Sequence, residues 1–268
     1  MKFEVLILGT GSATPAYGRH PSSQVVNFNE ALFLVDCGEG TQTQLSRFGI
    51  RMNRLSHVFI SHLHGDHYFG LPGLLASMHL NGRTNDLHVY GPPGLGEILD
   101  LQFRHAGTAL QFHLVFHPTH PGAAEILLEA PRLRVTSFPL HHRVPCTGFR
   151  FDETVRASKH PATRSYAYCS DTRAFFSGYM DAIRNVDLLY HESTFLHEMV
   201  GRAEETLHST ALEAAQVAKR VGAKKLLLGH YSARYRELEP LLEEARSVFG
   251  ASELAVEGKV FDLDGHDF

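Results

Sequence analysis

A short apolar run that stops at a cluster of histidines constrains this chain more than any other feature. Leu55, Val58, Phe59 and Ile60 read as a strand ending at Ser61. His62, His64, Asp66 and His67 follow at once. Imidazole suits zinc and its borderline neighbours, and a carboxylate adds a hard oxygen donor. Gly65 lets the backbone turn tightly between the ligands, so that side chains on both sides can point into one cavity. Gly70, Pro72 and Gly73 break the chain before an apolar helix expected over residues 74–80. Four ligands packed this closely in the chain are not expected all to reach one tetrahedral ion. His62 and His64 can share one metal while Asp66 and His67 serve a second. The competing reading is a histidine-rich loop that binds nothing, and the 19 histidines of the chain give it some weight. The position at a strand end, with the glycine in place, favours metal.

With 268 residues, 43% hydrophobic and 20% charged, the chain can bury the core of a layered α/β domain. A strand begins at Phe3, so no signal peptide is expected, and no apolar run approaches membrane-spanning length. Cys37, Cys146 and Cys169 form neither a CxxC pair nor an even framework, which suits a reducing cytoplasm. A net charge of −4 does not announce a nucleic-acid binder. Its distribution says more: residues 132–173 hold eight Lys or Arg against three acids, and residues 236–268 hold nine acids against three bases. The basic middle is either a local phosphate-binding face or ordinary solvated surface.

Along the chain, residues 3–8 form a strand that runs into Gly9, Thr10 and Gly11. A dinucleotide loop would need a third glycine where Thr14 stands, and Pro15 does not open a helix. Residues 24–28 and 31–35 pair as a hairpin, and residues 41–48 form a helix stopped by Gly49. After the histidine loop a strand is expected at 87–90 and a helix at 95–101. Strands at 112–116, 124–128 and 133–139, with no helix between them, suggest an antiparallel run. Strands at 148–151 and 165–169, a helix at 175–185 and a strand at 186–190 follow. Thr210 and Glu213 have capping-box spacing and open a helix to Val221, with Gly222 at its end. A strand at 225–228, a helix at 237–249 and short strands within 254–263 complete the chain.

His62, His142, Asp171, Glu192 and His230 each fall just past the carboxyl end of an expected strand. Layered α/β folds gather their sites along such an edge. The order His-x-His-x-Asp-His after a hydrophobic strand resembles the metallo-β-lactamase superfamily, and the wider stretch over residues 61–75 resembles its ribonuclease Z branch. That resemblance implies a four-layer αββα metallo-β-lactamase sandwich, in a single domain spanning 1–268.

The likeness extends over nearly the whole chain and implies a site. Pro139, Leu140, His141, His142 and Arg143 precede Gly148 and Phe149, as the family's second histidine does; its spacing favours His142, with His141 as the alternative. Cys169, Ser170, Asp171 and Thr172 resemble the family's Gly-Asp-Thr with serine for glycine, and Gly229 to Arg234 resemble its late His-x-Ser-Ala-Arg. The implied set is two zinc ions, with manganese or iron as substitutes. His62, His64 and His142 would hold one, Asp66, His67 and His230 the other, and Asp171 would bridge. The sequence His191, Glu192, Ser193, Thr194 resembles His-Glu-Ala-Thr, and His208, Ser209, Thr210 resembles His-Ser-Thr. By that likeness Glu192 orients His208 as general acid, and Asp66 accepts the proton of the attacking water. Arg19, Ser232 and Arg234 fall in motifs that would meet substrate.

The activity so implied is cytoplasmic endoribonuclease removal of the 3′ trailer from precursor tRNA, by a homodimer and away from membranes. Two features depart from the family. Its tRNA-gripping arm would lie where only residues 152–164 stand. The Pro-x-Lys-x-Arg-Asn loop, which in some members helps to refuse tRNA already bearing CCA, has Tyr17 and His20 in place of lysine and asparagine. A binuclear phosphodiesterase acting on small diesters is therefore one alternative, and a non-catalytic RNA-binding member of a processing complex another.

Overall fold

Most central strands of this chain are near-continuous apolar runs, as strands covered on both faces require. The computed structural model describes residues 2–154 and 164–263. Its contacts divide into two units, one reaching to Thr119 and including Val256–Phe261, the other built on His120–Ala255.

The first unit contains β1 (Phe3–Gly9), β2 (Ser23–Phe28), β3 (Ala31–Cys37), α1 (Thr41–Arg47), β4 (Leu55–Phe59), α2 (Gly65–Tyr68), α3 (Leu71–Leu80), β5 (Leu87–Gly91), α4 (Gly94–His105) and β6 (Leu114–Pro118). β1, β2 and β3 pair antiparallel, and β3 to β6 run parallel. Leu6, Leu8, Val25, Leu34, Val58 and Val89 bury one face of this sheet against Leu45, Leu71, Leu75, Leu95 and Leu99 of the helices. Phe3, Val5, Ile7, Val26, Val35 and Phe59, on the opposite parity, are buried as well.

The second unit contains β7 (Glu125–Ala130), β8 (Leu133–Leu140), β9 (Cys146–Glu153), β10 (Ser165–Cys169), α5 (Ser177–Met180), β11 (Leu188–Glu192), α6 (Val200–Thr206), α7 (Ala211–Val221), β12 (Lys225–Gly229), α8 (Glu239–Arg246) and β13 (Ser252–Leu254). β7 to β10 pair antiparallel, and β10 to β13 run parallel. Ala214, Ala218 and Val221 of α7, with Leu241 and Ala245 of α8, pack in one core with Ala167, Leu189, Leu226 and Leu228 of the sheet. The last strand, β14 (Val260–Asp262), lies beside β1.

Two expectations are corrected. The run at 112–116 does not begin an antiparallel meander: the strand is Leu114–Pro118, and it extends the first sheet parallel to β5. Nor do residues 175–185 form one helix, because only Ser177–Met180 is helical and turns follow it. Phe175 in the left-handed region and Asn185, also at positive φ, bracket this segment and interrupt a helical path. The capping box is present as expected, with Thr210 Oγ accepting from Glu213 N at 3.2 Å and Glu213 Oε2 accepting from Thr210 N at 2.9 Å.

Candidate metal centre

In the first unit β3 and β4 are parallel neighbours, so their carboxyl ends leave the sheet on one edge. Asp36, near the end of β3, has φ 54°, a conformation uncommon for a side chain other than Asn, Asp or Gly. Its Oδ1 accepts from Ser61 N at 2.8 Å. Its Oδ2 accepts from Ser61 Oγ at 2.9 Å and from His67 Nδ1 at 2.8 Å. The candidate ligand loop is thus tied at both ends to one buried carboxylate. His62 Nδ1 lies 3.0 Å from Ser61 Oγ, and its Nε2 lies 3.0 Å from His64 Nδ1. Asp66 Oδ2 accepts from Ala13 N at 2.7 Å and sits 3.3 Å from His67 Nε2. The loop therefore presents two pairs of donors, His62 with His64 and Asp66 with His67.

The second unit repeats the device. β8, β10, β11 and β12 all point the same way, since β9 reverses once between β8 and β10. His142, Asp171, Glu192 and His230 consequently share one edge. His142 Nδ1 donates to Leu207 O at 3.1 Å, and its Nε2 is 3.5 Å from Asp171 Oδ2. His141 instead packs on Phe176, with ring centres 5.1 Å apart, so His142 is the histidine turned to Asp171. His230, at φ 60°, places Nε2 3.0 Å from Asp171 Oδ1 and Nδ1 2.9 Å from Thr194 Oγ. Leu207 ends α6 in the left-handed region and directs the chain into His208. His208 Nδ1 lies 2.8 Å from Glu192 Oε1, and its Nε2 is 4.0 Å from Asp171 Oδ2. Glu192 also accepts from Thr172 N at 2.9 Å and from Thr194 Oγ at 2.6 Å.

Electrostatics separates the two histidines that flank Asp171. Burial drives the His142 pKa down to about 4, overriding the nearby Asp171, so at neutral pH it is an uncharged imidazole. Burial acts on His208 in the same direction, but Glu192 and then Asp171 outweigh it and raise the ring to about 9. Glu192 would be raised by its own burial; His208 holds it below the usual carboxylate value instead. His142 thus offers a lone pair, and His208 a proton. Asp171, His208 and His230 have donor atoms within 4.8 Å of one another, so a cation could be held in this unit.

The donor chemistry fits a divalent metal. His62, His67, His142 and His230 each direct Nδ1 to an oxygen of the protein, which leaves Nε2 as the nitrogen for a ligand bond. The sequence motifs gave neither Asp36 nor Thr194 a role. An acid at the end of a buried strand was the available signal, because such a carboxylate must be compensated.

The expected substrate contacts are spread more widely. Arg19 stands on a two-residue turn, with Arg19 N donating to Ala16 O at 2.9 Å and its guanidinium 5.2 Å from the centre of the Tyr17 ring. Ser232 is buried and donates its backbone N–H to Thr194 O at 3.3 Å, and Arg234 is exposed beside it. Four of the six described bases in the basic middle are ion-paired in place. Arg132 and Arg164 pair with Glu153 at 3.1 and 2.8 Å, Arg134 with Glu129 at 2.8 Å, and Arg150 with Asp152 at 2.9 Å. Most of the link at 152–164, where the arm was sought, lies outside the described residues, as do Arg156 and Lys159.

Residues 32–231 match the β-lactamase superfamily domain, which defines the class of fold and site. Ribonuclease Z of Porphyromonas gingivalis is 40% identical over 302 aligned positions, covering 97% of this chain and 99% of that protein. Ribonuclease Z of Cytophaga hutchinsonii is 43% identical, covering 97% and 96%. The solved short form of human tRNase Z is similar at 33% identity and TM-score 0.82, covering 97% of this chain and 99% of that one. The chain belongs to the ribonuclease Z family of the metallo-β-lactamase superfamily and has the fold expected of it. An alignment of 302 positions against 268 residues also means that the Porphyromonas relative carries residues with no counterpart here.

Proposed function

We propose that this chain is a metal-dependent endoribonuclease that removes the 3′ trailer from precursor tRNA and leaves a 3′-hydroxyl on the tRNA. The observation that carries this reading is the Glu192–His208 pair, 2.8 Å apart, beside Asp171 and His230. A ribose 3′-oxygen is a poor leaving group and must gain a proton as its bond to phosphorus breaks. His208, kept charged by Glu192, is the group able to give it.

His62, His64, His142 and Asp171 would hold one divalent ion, and Asp66, His67, His230 and Asp171 a second, in a chain read as a single domain over 1–268. The ions, zinc in the first instance with manganese or iron as substitutes, would acidify a bound water and offset charge on the phosphoryl oxygens. Asp66 takes the proton of the attacking water. Glu192 keeps the His208 ring oriented and positive. Arg19, Ser232 and Arg234 meet the RNA. Membership of the family supports precursor tRNA as partner, a homodimer as the working form and the cytoplasm as compartment. Among the described residues, no helix is long and apolar enough to cross a membrane.

Cleavage of a precursor tRNA by the zinc-loaded protein, with the product end mapped to the nucleotide, tests this reading. The wild type cuts beside the discriminator base, and His64→Ala and His208→Ala do not. Hydrolysis of a small phosphodiester with precursor tRNA left intact would keep the centre and reject the substrate. The short link at 152–164 makes that outcome worth measuring.

A further inference from the structure

Each unit holds the same three-part relay. In the first, Asp36 Oδ2 accepts the Ser61 hydroxyl at 2.9 Å, and the same oxygen of Ser61 lies 3.0 Å from His62 Nδ1. In the second, Glu192 Oε2 accepts the Thr194 hydroxyl at 2.6 Å, and Thr194 Oγ lies 2.9 Å from His230 Nδ1. A hydroxyl has one proton to donate. The carboxylate is an acceptor only, so that proton is committed to it. The oxygen then has only lone pairs left for the imidazole, and Nδ1 must carry the ring proton.

We propose that Ser61 and Thr194 are positioning residues that set the tautomer of His62 and of His230, fixing Nε2 as the nitrogen available to metal. The proposal rests on the assignment of these histidines as ligands made above. It goes beyond that assignment by giving a direction to each hydrogen bond. The second relay also gives Glu192 two duties. Its Oε1 orients the general acid His208, and its Oε2 acts through Thr194 on a ligand, so a single buried carboxylate couples proton delivery to metal retention.

The direction makes a prediction that mere packing does not. In Glu192→Gln an NH2 group at the Oε1 position would oppose Thr172 N at 2.9 Å and His208 Nδ1 at 2.8 Å. At Oε2 it opposes only the longer Thr194 N at 3.3 Å, beside a hydroxyl that can turn, so the amide oxygen favours Oε1. The NH2 group then faces Thr194 Oγ. Thr194 accepts from it and turns its own proton to His230 Nδ1, which forces the ring proton onto Nε2. A change that preserves size should therefore cost metal.

The full-length protein, loaded with zinc, is titrated with a chelator, and the His230 imidazole N–H proton is followed by NMR. Thr194→Val, Glu192→Gln and Ser61→Ala should each weaken retention of one zinc by about 10- to 100-fold. In Thr194→Val and Glu192→Gln the His230 Nδ1–H signal should be lost as well. Thr194→Ser, which keeps the hydroxyl, should restore both zinc and signal. If Thr194→Val fails to fold, the contrast between Glu192→Gln, which loses zinc, and Thr194→Ser, which keeps it, carries the test. Wild-type zinc affinity in Thr194→Val and Glu192→Gln, alongside zinc loss in His230→Ala, would overturn the relay alone. Zinc kept by His230→Ala would overturn the ligand assignment, and the relay with it.

Discussion

His67 Nδ1 lies 2.8 Å from Asp36 Oδ2, and both side chains are fully buried. A ligand-loop histidine is thereby oriented by an acid 31 positions earlier in the chain, at the end of the neighbouring parallel strand. Because Asp36 also takes both donors of Ser61, the beginning and the end of the ligand loop hang on one carboxylate.

Asp36→Ala should strand three buried donors: the Ser61 backbone N–H, its hydroxyl and His67 Nδ1–H. At about 1–3 kcal/mol for each unsatisfied group, incomplete relaxation leaves a loss of at least ~3 kcal/mol. For a chain of this size that lowers the melting temperature by on the order of 10 °C. Thermal melts of the metal-free protein check this, since without metal the effect cannot come from a lost ligand. A melting temperature equal to wild type would mean the carboxylate is dispensable.

His208→Ala should lower kcat by roughly 10²- to 10⁴-fold, the usual contribution of a general acid, while zinc content stays unchanged. His208 stands close enough to Asp171 and His230 to ligate a cation, so zinc analysis of the variant decides its role. Loss of zinc together with activity would make it a ligand.

A pH effect is expected at a histidine stack in the first sheet. His57, His88 and His117 stack across β4, β5 and β6, with ring centres 5.0 and 5.2 Å apart. Burial, then His88 and His117, push the His57 pKa from 6.5 down to about 4. Between those values the unfolded chain takes up a proton that the folded one refuses. The contribution to stability is therefore complete above about pH 6.5 and is lost as the pH falls toward 4. His57→Phe, which can keep the stacking on Phe33 and Phe59, should flatten the melting temperature between pH 6.5 and 4.5. Parallel profiles for variant and wild type would contradict it.

Gly70 seats the ligand loop against the end of β3. A Cβ there would meet the backbone carbonyl oxygen of Gly38 and lie 3.0 Å from that of Cys37, and neither can swing aside as a side chain could. Gly70→Ala should cost about 1–3 kcal/mol by overpacking and should displace the chain following His67. Denaturant unfolding measures the first effect and chelator competition the second. Gly73→Ala, whose Cβ would meet only Gln42 Oε1 at 3.6 Å, serves as the benign control.

Much of this protein was legible in the chain. The strand before His62, the hairpin across Asn29 and Glu30, and the Thr210–Glu213 box are local patterns, in which residue type and spacing act within a few positions. The strand-end positions of His142, Asp171, Glu192 and His230 were readable for the same reason, because each strand announces its own end.

Long-range pairing was not readable. Leu114–Pro118 has the composition of a strand wherever it pairs, and only the open edge of β5 gave it a parallel partner. The choice between His141 and His142 depended on which ring the turn after β8 aims at Asp171. The donor types of the loop from His62 to His67 were thus readable in the sequence alone, since a capacity to bind metal follows from side-chain chemistry. Which nitrogen of each histidine is held, and by which oxygen, was decided only in three dimensions. Hydrogen-bond direction depends on partners such as Asp36 and Glu192, brought to the ligands by neighbouring strands rather than by proximity in the chain.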